Sequence, residues 1–192
     1  MAEKGTTDGR VQRSERSRQA IINATLSLIR AGHLMPTAQQ VADESGVTIR
    51  TVFRHFEDME ALYVETDATL RPEYEGNFLQ ADHRGTFEER VVRAIECHEK
   101  VYSEWADVIR FTRAHKWRSP TLTQQYARNQ RGLRKDLERW LPELRQVPDE
   151  LREAIDGIAS FEYWDRLRTE QGLGKKAATE LVSNLLLGLL RA

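Results

Sequence analysis

Residues 37–56 read TAQQVADESGVTIRTVFRHF and contain two short helical patterns on either side of a glycine. Thr37 and Gln40 are spaced as a capping box, in which each side chain binds the other residue's exposed backbone amide, so a helix is predicted to begin after Thr37. Gly46 follows that helix and tolerates the positive φ of a tight turn. Thr48 is placed to cap a second, short helix. The stretch therefore predicts a helix-turn-helix.

The apolar residues of this stretch have the spacing that two crossing helices require. Ala42 is small enough for a close approach, and Val52 returns a branched side chain to the shared core. Val41 and Val47 fill the remaining core positions. The other side of the second helix is polar and consists of Thr48, Arg50, Thr51, Arg54 and His55.

That polar side has the chemistry of a DNA contact. Arginine bonds the O6 and N7 atoms of guanine in the major groove, which suits Arg50 or Arg54. We interpret Thr48 and Thr51 as contacts to phosphate or to a thymine methyl group, while Arg54 and His55 equally suit the DNA backbone. An ordinary solvated helix face would have a similar composition, but the tight turn and the basic segment before it favour DNA.

The sequence from Thr37 to Tyr63 resembles the N-terminal motif of the TetR family of transcriptional regulators. The resemblance is specific over residues 14–63 and looser beyond them. It implies a helical C-terminal domain that binds an effector and forms the dimer. The positions that carry it are Thr37, Val41, Ala42, Gly46, Val47, Phe53, His55, Phe56 and Leu62.

The resemblance also implies roles for single residues. Phe53 would pack against the DNA backbone, Phe56 would lie in the core, and Thr37 and His55 would contact phosphate. Phe53 stands where the family usually has tyrosine, and Met59 where it usually has lysine. Because these changes remove contacts to the backbone, a somewhat weaker or less salt-dependent complex is expected.

Apolar residues recur every three or four positions along the whole chain, without a sustained strand pattern, so we predict an all-α fold. We divide it into a helix-turn-helix DNA-binding domain over residues 1–57, with residues 1–10 disordered, and a helical effector-binding and dimerisation domain over residues 58–192. Pro72 is expected to end or kink a helix. Helices are predicted at about 14–30, from about 58, and at 74–82, 86–104, 106–118, 121–141, 149–171 and 174–191.

Charge is unevenly distributed along the 192 residues, whose net charge is −1. Residues 10–56 carry seven arginines against three acidic residues, a net charge of +4, which favours approach to phosphate. No apolar run reaches the roughly 18 residues of a membrane span. The polar N-terminus does not have the pattern of a secretion signal, and Cys97 alone cannot form an internal disulfide. We therefore expect a cytoplasmic protein that does not enter the membrane and needs no cofactor.

The last two predicted helices carry a second signal. The apolar residues of 174–191 cover more than one helix face, which a single packing partner does not satisfy. With the helix at 149–171 they suit a four-helix interface in a homodimer, as the family resemblance also implies. The alternative is that both helices complete a monomer core. The predicted interface consists of Ile158, Leu181, Leu185, Gly188 and Leu189.

Aromatic side chains are concentrated in the middle of the chain. A mostly apolar pocket with a few polar groups is typical of small-molecule sites, although aromatics at helical spacing also form plain cores. His98 and Glu162 could add polar contacts, and the basic residues around Lys116 could bind an acidic effector. The predicted contacts to an unknown small-molecule effector are Tyr102, Trp105, Phe111, His115, Trp117 and Trp164.

Two other functions are compatible with the sequence. An enzyme would have to use His83, His98 or His115 with Glu96 or Glu99, yet none of these has a recognised metal-ligand spacing, and no glycine-rich phosphate loop occurs. We therefore predict no catalytic and no metal site. The second alternative is a DNA-binding protein that shares the helix-turn-helix but responds to no effector.

Overall fold

The computed structural model describes residues 5–76 and 82–191, and within them every regular element is a helix, as predicted. A short 3-10 helix at Pro142–Arg145 adds to the α-helices. These are α1 (Gly5–Arg30), α2 (Ala38–Ser45), α3 (Ile49–His55), α4 (Met59–Gly76), α5 (Phe87–His115), α6 (Pro120–Trp140), α7 (Asp149–Ile158), α8 (Phe161–Thr169) and α9 (Lys175–Arg191).

The chain forms two compact units, and each is built from two separate stretches. Among the described residues, unit 1 contains residues 5–72 and 107–126, and unit 2 contains residues 73–76, 82–106 and 127–191. Helices α4, α5 and α6 each contribute residues to both units. The functional boundary expected after residue 57 stays a prediction, since these units follow packing and not activity.

Unit 1 has a core that joins the first helices of the chain. Side chains from α1, α2 and α3 meet the start of α4 there, and each exposes at most 5% of its surface. Burial of such branched side chains is what holds short helices together, because eight residues alone are too few for a stable helix in water. The core residues are Ile21, Ile22, Val41, Ala42, Val52, Phe56 and Leu62.

Unit 2 has a larger core that includes the last helices of the chain. The inner face of α9 packs there through Ala178, Val182 and Leu186, which are 0–3% exposed. The Arg90 side chain from α5 donates to the Trp140 carbonyl at 3.0 Å and so satisfies an acceptor at the end of α6. The other buried members are Val91, Ala94, Ile95, Leu137, Trp140, Leu141, Leu144, Ile155, Ala159 and Leu167.

The first helix begins earlier than predicted. It starts at Gly5, so residues 5–10 are helical where disorder was expected, and residues 1–4 lie outside the described residues. Arginine, glutamine and glutamate have high helix propensity, and the Arg13 side chain donates to the Gly9 carbonyl at 3.0 Å. The helix is therefore extended by local interactions, because residues 10–16 are exposed.

The predicted helices at 86–104 and 106–118 are one helix, α5. It runs without a break from Phe87 to His115, so the predicted division near residue 105 is wrong. No glycine or proline occurs between residues 87 and 115, and hence nothing in the chain ends the helix there. Of the predicted helix at 74–82, residues 74–76 belong to α4, residue 82 is not helical, and residues 77–81 lie outside the described residues. Pro72 lies inside α4 and does not end it.

The predicted helix at 149–171 is instead two helices. α7 ends at Ile158, and Ser160 begins α8 by accepting a hydrogen bond from the Tyr163 amide at 3.3 Å. The Ser160 hydroxyl also donates to the Gly157 carbonyl at 2.6 Å, so the side chain satisfies groups of both helices. Apolar periodicity alone did not show the break.

Within the described ranges no helix is both long and apolar enough to cross a membrane.

Candidate nucleic-acid interface

α2 begins as the sequence predicts. The Thr37 side chain accepts from the Gln40 amide at 3.2 Å, and the Gln40 side-chain oxygen accepts from the Thr37 amide at 2.8 Å. Both halves of the capping box are thus present. The arrangement satisfies backbone amides that a helix N-terminus would otherwise leave without partners.

The turn between α2 and α3 is built on Gly46. Its φ of 68° lies in the left-handed region, and its amide bonds the carbonyls of Ala42 and Asp43. The Val47 amide reaches the Ala42 carbonyl at 3.1 Å. These bonds complete the end of α2 and direct the chain into α3, as in a Schellman motif. The predicted helix-turn-helix is therefore formed in full.

α3 has a buried side and an exposed side. Val52 is 1% exposed and packs in the core of unit 1. Phe56, the residue directly after the helix, is 5% exposed. Opposite them, Arg50 and Arg54 are exposed, and Phe53 exposes 46% of its surface. The buried side holds the helix in place while the outer side remains accessible.

The threonine hydroxyls of this region already have partners. Thr37 donates its proton to the Gln40 side chain at 3.1 Å. The Thr48 oxygen accepts from the Thr51 amide at 3.2 Å, and the two threonine hydroxyls lie 3.0 Å apart. Their first role is to cap α2 and α3, so a phosphate contact would be made in addition to these bonds or at their expense.

The two arginines of α3 differ from the threonines. Within residues 5–76 and 82–191 the side chains of Arg50 and Arg54 form no ion pair and no hydrogen bond. Each guanidinium group carries five donors in a planar fork that matches guanine or phosphate. The largest binding capacity of the outer face therefore lies in these two side chains.

His55 lies at the edge of this face and is half-buried. Burial lowers the pKa of His55 from its ordinary value, the nearby Arg54 and Arg18 lower it further, and Glu15 raises it. Its Nε2 atom is buried and has no hydrogen-bond partner among the described residues. A phosphate contact through Nε2 would therefore require the ring to turn.

Arg18 and Tyr63 support this region through contacts that the sequence does not indicate. The Arg18 side chain pairs with Glu65 at 2.9 Å and lies over the Phe56 ring at 5.3 Å. The Tyr63 hydroxyl donates to the Pro36 carbonyl at 2.6 Å, next to the cap of α2. No sequence motif indicates such long-range bonds.

The predicted effector contacts are divided between the two units. In unit 2, Tyr102 lies beside Trp164 with ring centroids 5.9 Å apart and donates to the Ala159 carbonyl at 2.8 Å. Trp105 packs against Tyr74, with ring centroids 5.9 Å apart. All three predicted side chains of this unit are buried and belong to its interior.

The other three predicted contacts lie in unit 1. Phe111 and His115 are buried, with ring centroids 4.6 Å apart. Trp117 follows the end of α5 and is 73% exposed, with the Arg118 guanidinium over its ring at 4.5 Å. An enclosed pocket does not fit this position of Trp117.

Each unit has a surface cleft. The cleft of unit 1 has a volume of about 320 Å³ and includes His115; the cleft of unit 2 has about 380 Å³ and includes none of the predicted effector contacts. The first is lined by Met35, Asp58, Met59, Glu60, Tyr63, His115, Arg118, Ser119 and Leu122. The second is lined by Val92, Glu96, Glu99, Lys175, Lys176, Thr179, Glu180, Ser183 and Asn184.

α9 presents an apolar strip outside the core of unit 2. Leu181 and Leu185 are 36% and 37% exposed, and Gly188 is exposed further along the same face. Ile158 and Leu189 are half-buried at the margin of the core. The predicted interface residues thus include two exposed leucines about one helical turn apart. We call Leu181 and Leu185 the leucine row of α9.

The histidines considered for an enzyme each have separate partners within their own unit. In unit 2 the His98 Nε2 atom lies 3.2 Å from the Asp136 carboxylate, and the His83 ring packs on Trp140 at 4.5 Å. In unit 1 the His115 Nε2 atom bonds the Leu34 carbonyl at 2.8 Å. Among the described residues no group of three potential metal ligands occurs.

Comparisons with known proteins support the fold. No family model matches this chain, and no curated protein matches it. The crystal structure of a transcriptional regulator from Rhodococcus sp. Rha1 is similar, with a TM-score of 0.68 and 14% sequence identity. The match covers 93% of this chain and 96% of that one. The chain therefore has an all-helical fold that a transcriptional regulator also has, whereas membership of the TetR family stays a prediction.

Proposed function

We propose that this chain is a sequence-specific DNA-binding transcriptional regulator of the TetR type. One observation carries the proposal: Arg50 and Arg54 are exposed on α3 and form no ion pair with the described residues, while Val52 fixes the other side of the helix in the core. A helix presented in this way fits the major groove, where arginine distinguishes guanine from other bases.

Two further observations support the same function. The similar structure from Rhodococcus is that of a transcriptional regulator, and the likeness extends over nearly the whole of both chains. The first helix adds Arg10, Arg13 and Arg16, which are exposed and would strengthen attraction to the DNA backbone.

We infer a homodimer that uses the leucine row of α9. Large apolar side chains exposed at helical spacing are costly in water and commonly mark an interface. In the proposed complex the two copies of α3 lie about 34–36 Å apart, one turn of DNA, and bind a near-palindromic site. The proposed DNA contacts remain Thr37, Thr48, Arg50, Thr51, Phe53, Arg54 and His55.

We further propose that a small molecule releases the dimer from its operator. Tyr102, Trp105 and Trp164 provide buried aromatic surface in unit 2, which suits an apolar effector once a cavity opens among them. The ligand would change the position of α4 and thereby the spacing of the two α3 helices, so that DNA affinity falls. Repression follows where the operator overlaps a promoter.

A second candidate function is DNA binding without an effector. It is favoured by the tight ring packing around Tyr102, whose ring centroid lies 5.6 Å from that of Phe161 and 5.9 Å from that of Trp164. A library of small molecules distinguishes the two functions, because a ligand raises the melting temperature by mass action. A stabilising compound that also weakens DNA binding supports the effector-controlled regulator. Stabilising compounds that all leave DNA affinity unchanged support the alternative.

The DNA-binding proposal is tested by selecting genomic fragments with the purified protein. We expect a recurrent inverted repeat among the enriched fragments. Arg50→Ala should then lose about 1–3 kcal/mol of discrimination between this site and random DNA, because a bidentate contact to guanine is lost. Arg139→Ala, which removes an exposed arginine of α6, is the matched control and should keep wild-type discrimination.

Two outcomes would count against these roles. Enrichment without a common motif would reject sequence-specific binding. Equal weakening of specific and random DNA by Arg50→Ala would assign Arg50 to phosphate instead of to a base.

A further inference from the structure

The segment between α1 and α2 is held by hydrogen bonds from α4 and α5. The Tyr63 hydroxyl donates to the Pro36 carbonyl at 2.6 Å, and the His115 Nε2 atom bonds the Leu34 carbonyl at 2.8 Å. A carbonyl oxygen only accepts, so His115 carries a proton on Nε2 and acts as the donor. Tyr63 is 7% exposed and His115 8%. Because both donors are shielded, water does not readily replace either bond.

The orientation of the two donors is fixed by an aromatic cluster. The Tyr63 and His115 rings have centroids 4.6 Å apart, and Phe111 lies 4.9 Å from the first and 4.6 Å from the second. Phe111 itself is 2% exposed. Each ring therefore restricts the other two, and the donors are oriented before the segment binds to them.

The side chains of the segment contribute little to holding it. Leu34 is 45% exposed and Met35 62%, and only Pro36 is buried. Pro36 has no amide proton, so its carbonyl is its only backbone hydrogen-bonding group. The segment thus depends on its carbonyl oxygens for attachment to α4 and α5.

The attached segment leads directly into α2. Thr37 follows Pro36 and accepts two hydrogen bonds from α2. The Gln40 amide donates to the Thr37 hydroxyl at 3.2 Å, and the Val41 amide donates to the Thr37 carbonyl at 3.0 Å. The position of Thr37 therefore sets where the first turn of α2 lies. Since α2 and α3 share one core, a shift of α2 also moves the outer face of α3.

We propose that Tyr63 and His115 are positioning residues for DNA recognition, which fix the start of α2 through the Pro36 and Leu34 carbonyls. The inference rests on the proposed DNA-binding function. Neither side chain needs to touch DNA. Both act on affinity by holding the helix-turn-helix in the conformation that DNA binds, and losing either bond makes that conformation less populated.

The test uses variants that keep the rings and remove the donors. Tyr63→Phe and His115→Phe should each weaken binding to the selected operator about 3- to 10-fold, the effect of one shielded hydrogen bond. Tyr74→Phe is the matched control. Tyr74 also lies on α4 but in unit 2, and the variant removes a hydroxyl that donates to the Asn129 side chain at 3.1 Å. It should lower the melting temperature without changing DNA affinity. His115→Gln restores a donor and should recover part of the lost affinity.

A second measurement does not depend on DNA. Hydrogen exchange at the Gln40 and Val41 amides should become faster in Tyr63→Phe and His115→Phe, and remain at the wild-type rate in Tyr74→Phe. Unchanged exchange in both variants would overturn the positioning role, whatever the protein binds. A wild-type protein without any preferred DNA site would instead reject the proposed function, and exchange would still decide the positioning role.

The double variant shows whether the two bonds hold one segment. If they do, Tyr63→Phe combined with His115→Phe should weaken operator binding less than the product of the single effects. Operator affinities of both single variants within the wild-type error, measured on the folded fraction, would overturn the role in recognition.

Discussion

The polar residues of α3 and its caps belong to two kinds. Thr48 and Thr51 bond to each other and to the backbone, whereas Arg50 and Arg54 have no such partners among the described residues. The threonines therefore stabilise the helix before they contact any ligand, and the arginines are available for the proposed contact with DNA. Sequence composition alone does not show which of these four side chains already have partners within the protein.

His55 should make stability depend on pH. Its pKa is lowered from 6.5 in the folded protein, chiefly by burial and then by Arg54 and Arg18. The unfolded chain therefore takes up the proton more readily. The contribution of His55 to the free energy of unfolding is complete above the pKa that its ring has in the unfolded chain. That contribution is lost as pH falls through the lower pKa of the ring in the folded protein. Between about pH 7.5 and 5.5 the melting temperature of wild type should fall more than that of His55→Asn.

Thermal melts at the two pH values measure this difference. Equal decreases in both proteins would contradict an influence of His55. The same measurement applies without DNA, so it is independent of whether the ring contacts phosphate.

At the scale of single elements, the turn between α2 and α3 depends on backbone conformation. Gly46 has a φ of 68°, and a Cβ atom there would meet no atom within 4 Å. Gly46→Ala should therefore destabilise the protein by about 1–2 kcal/mol through left-handed backbone strain, and not through a clash. Gly132→Ala is the matched control, because Gly132 lies in α6 with equally open surroundings and no positive φ.

In the control alanine should stabilise α6 by about 0.5–1 kcal/mol. Urea denaturation of both variants measures the two effects. A Gly46→Ala protein as stable as wild type would show that the turn adopts another conformation without cost.

The elements that could be predicted from sequence are those with local chemical signals. Thr37 with Gln40, Gly46 and Thr48 gave correct ends for α2 and α3, because a cap needs only neighbouring residues. The break between α7 and α8 depends on Ser160, whose cap is equally local but was hidden by continuous apolar periodicity. The length of α5 was missed because a division was expected where no helix-breaking residue occurs.

The candidate site could be predicted only in part for the same reason. The outer face of α3 follows from periodicity once the helix is known, and its exposure agrees with that prediction. The bond from Tyr63 to Pro36 joins residues 27 positions apart, and that from His115 to Leu34 joins residues 81 apart. Such contacts result from packing, which residue spacing does not encode. Trp117 shows the converse, since its aromatic character suggested an effector contact and it is 73% exposed.

At the scale of the whole molecule, the leucine row of α9 predicts association. Leu185→Glu should give monomers by light scattering and lower operator affinity, because a charge would lie in an apolar interface. Val92→Glu is the matched control: Val92 is also 37% exposed but lies on α5, outside the row. It should remain dimeric.

A Leu185→Glu protein that stays dimeric would exclude the α9 row as the interface. A dissociated Val92→Glu protein would show that the interface extends beyond the leucine row into the cleft that Val92 shares with α9. The DNA-binding proposal survives either result, since it rests on α3.

The exposed leucine row of α9 has a further consequence for gene dosage. If the row pairs two chains, only the pair occupies an operator, and dilute chains associate in proportion to the square of their concentration. Where most operators are unoccupied, halving expression would then remove more than half of the bound operators. The regulated promoter would respond to the amount of the protein over a narrow range, even before any effector is present.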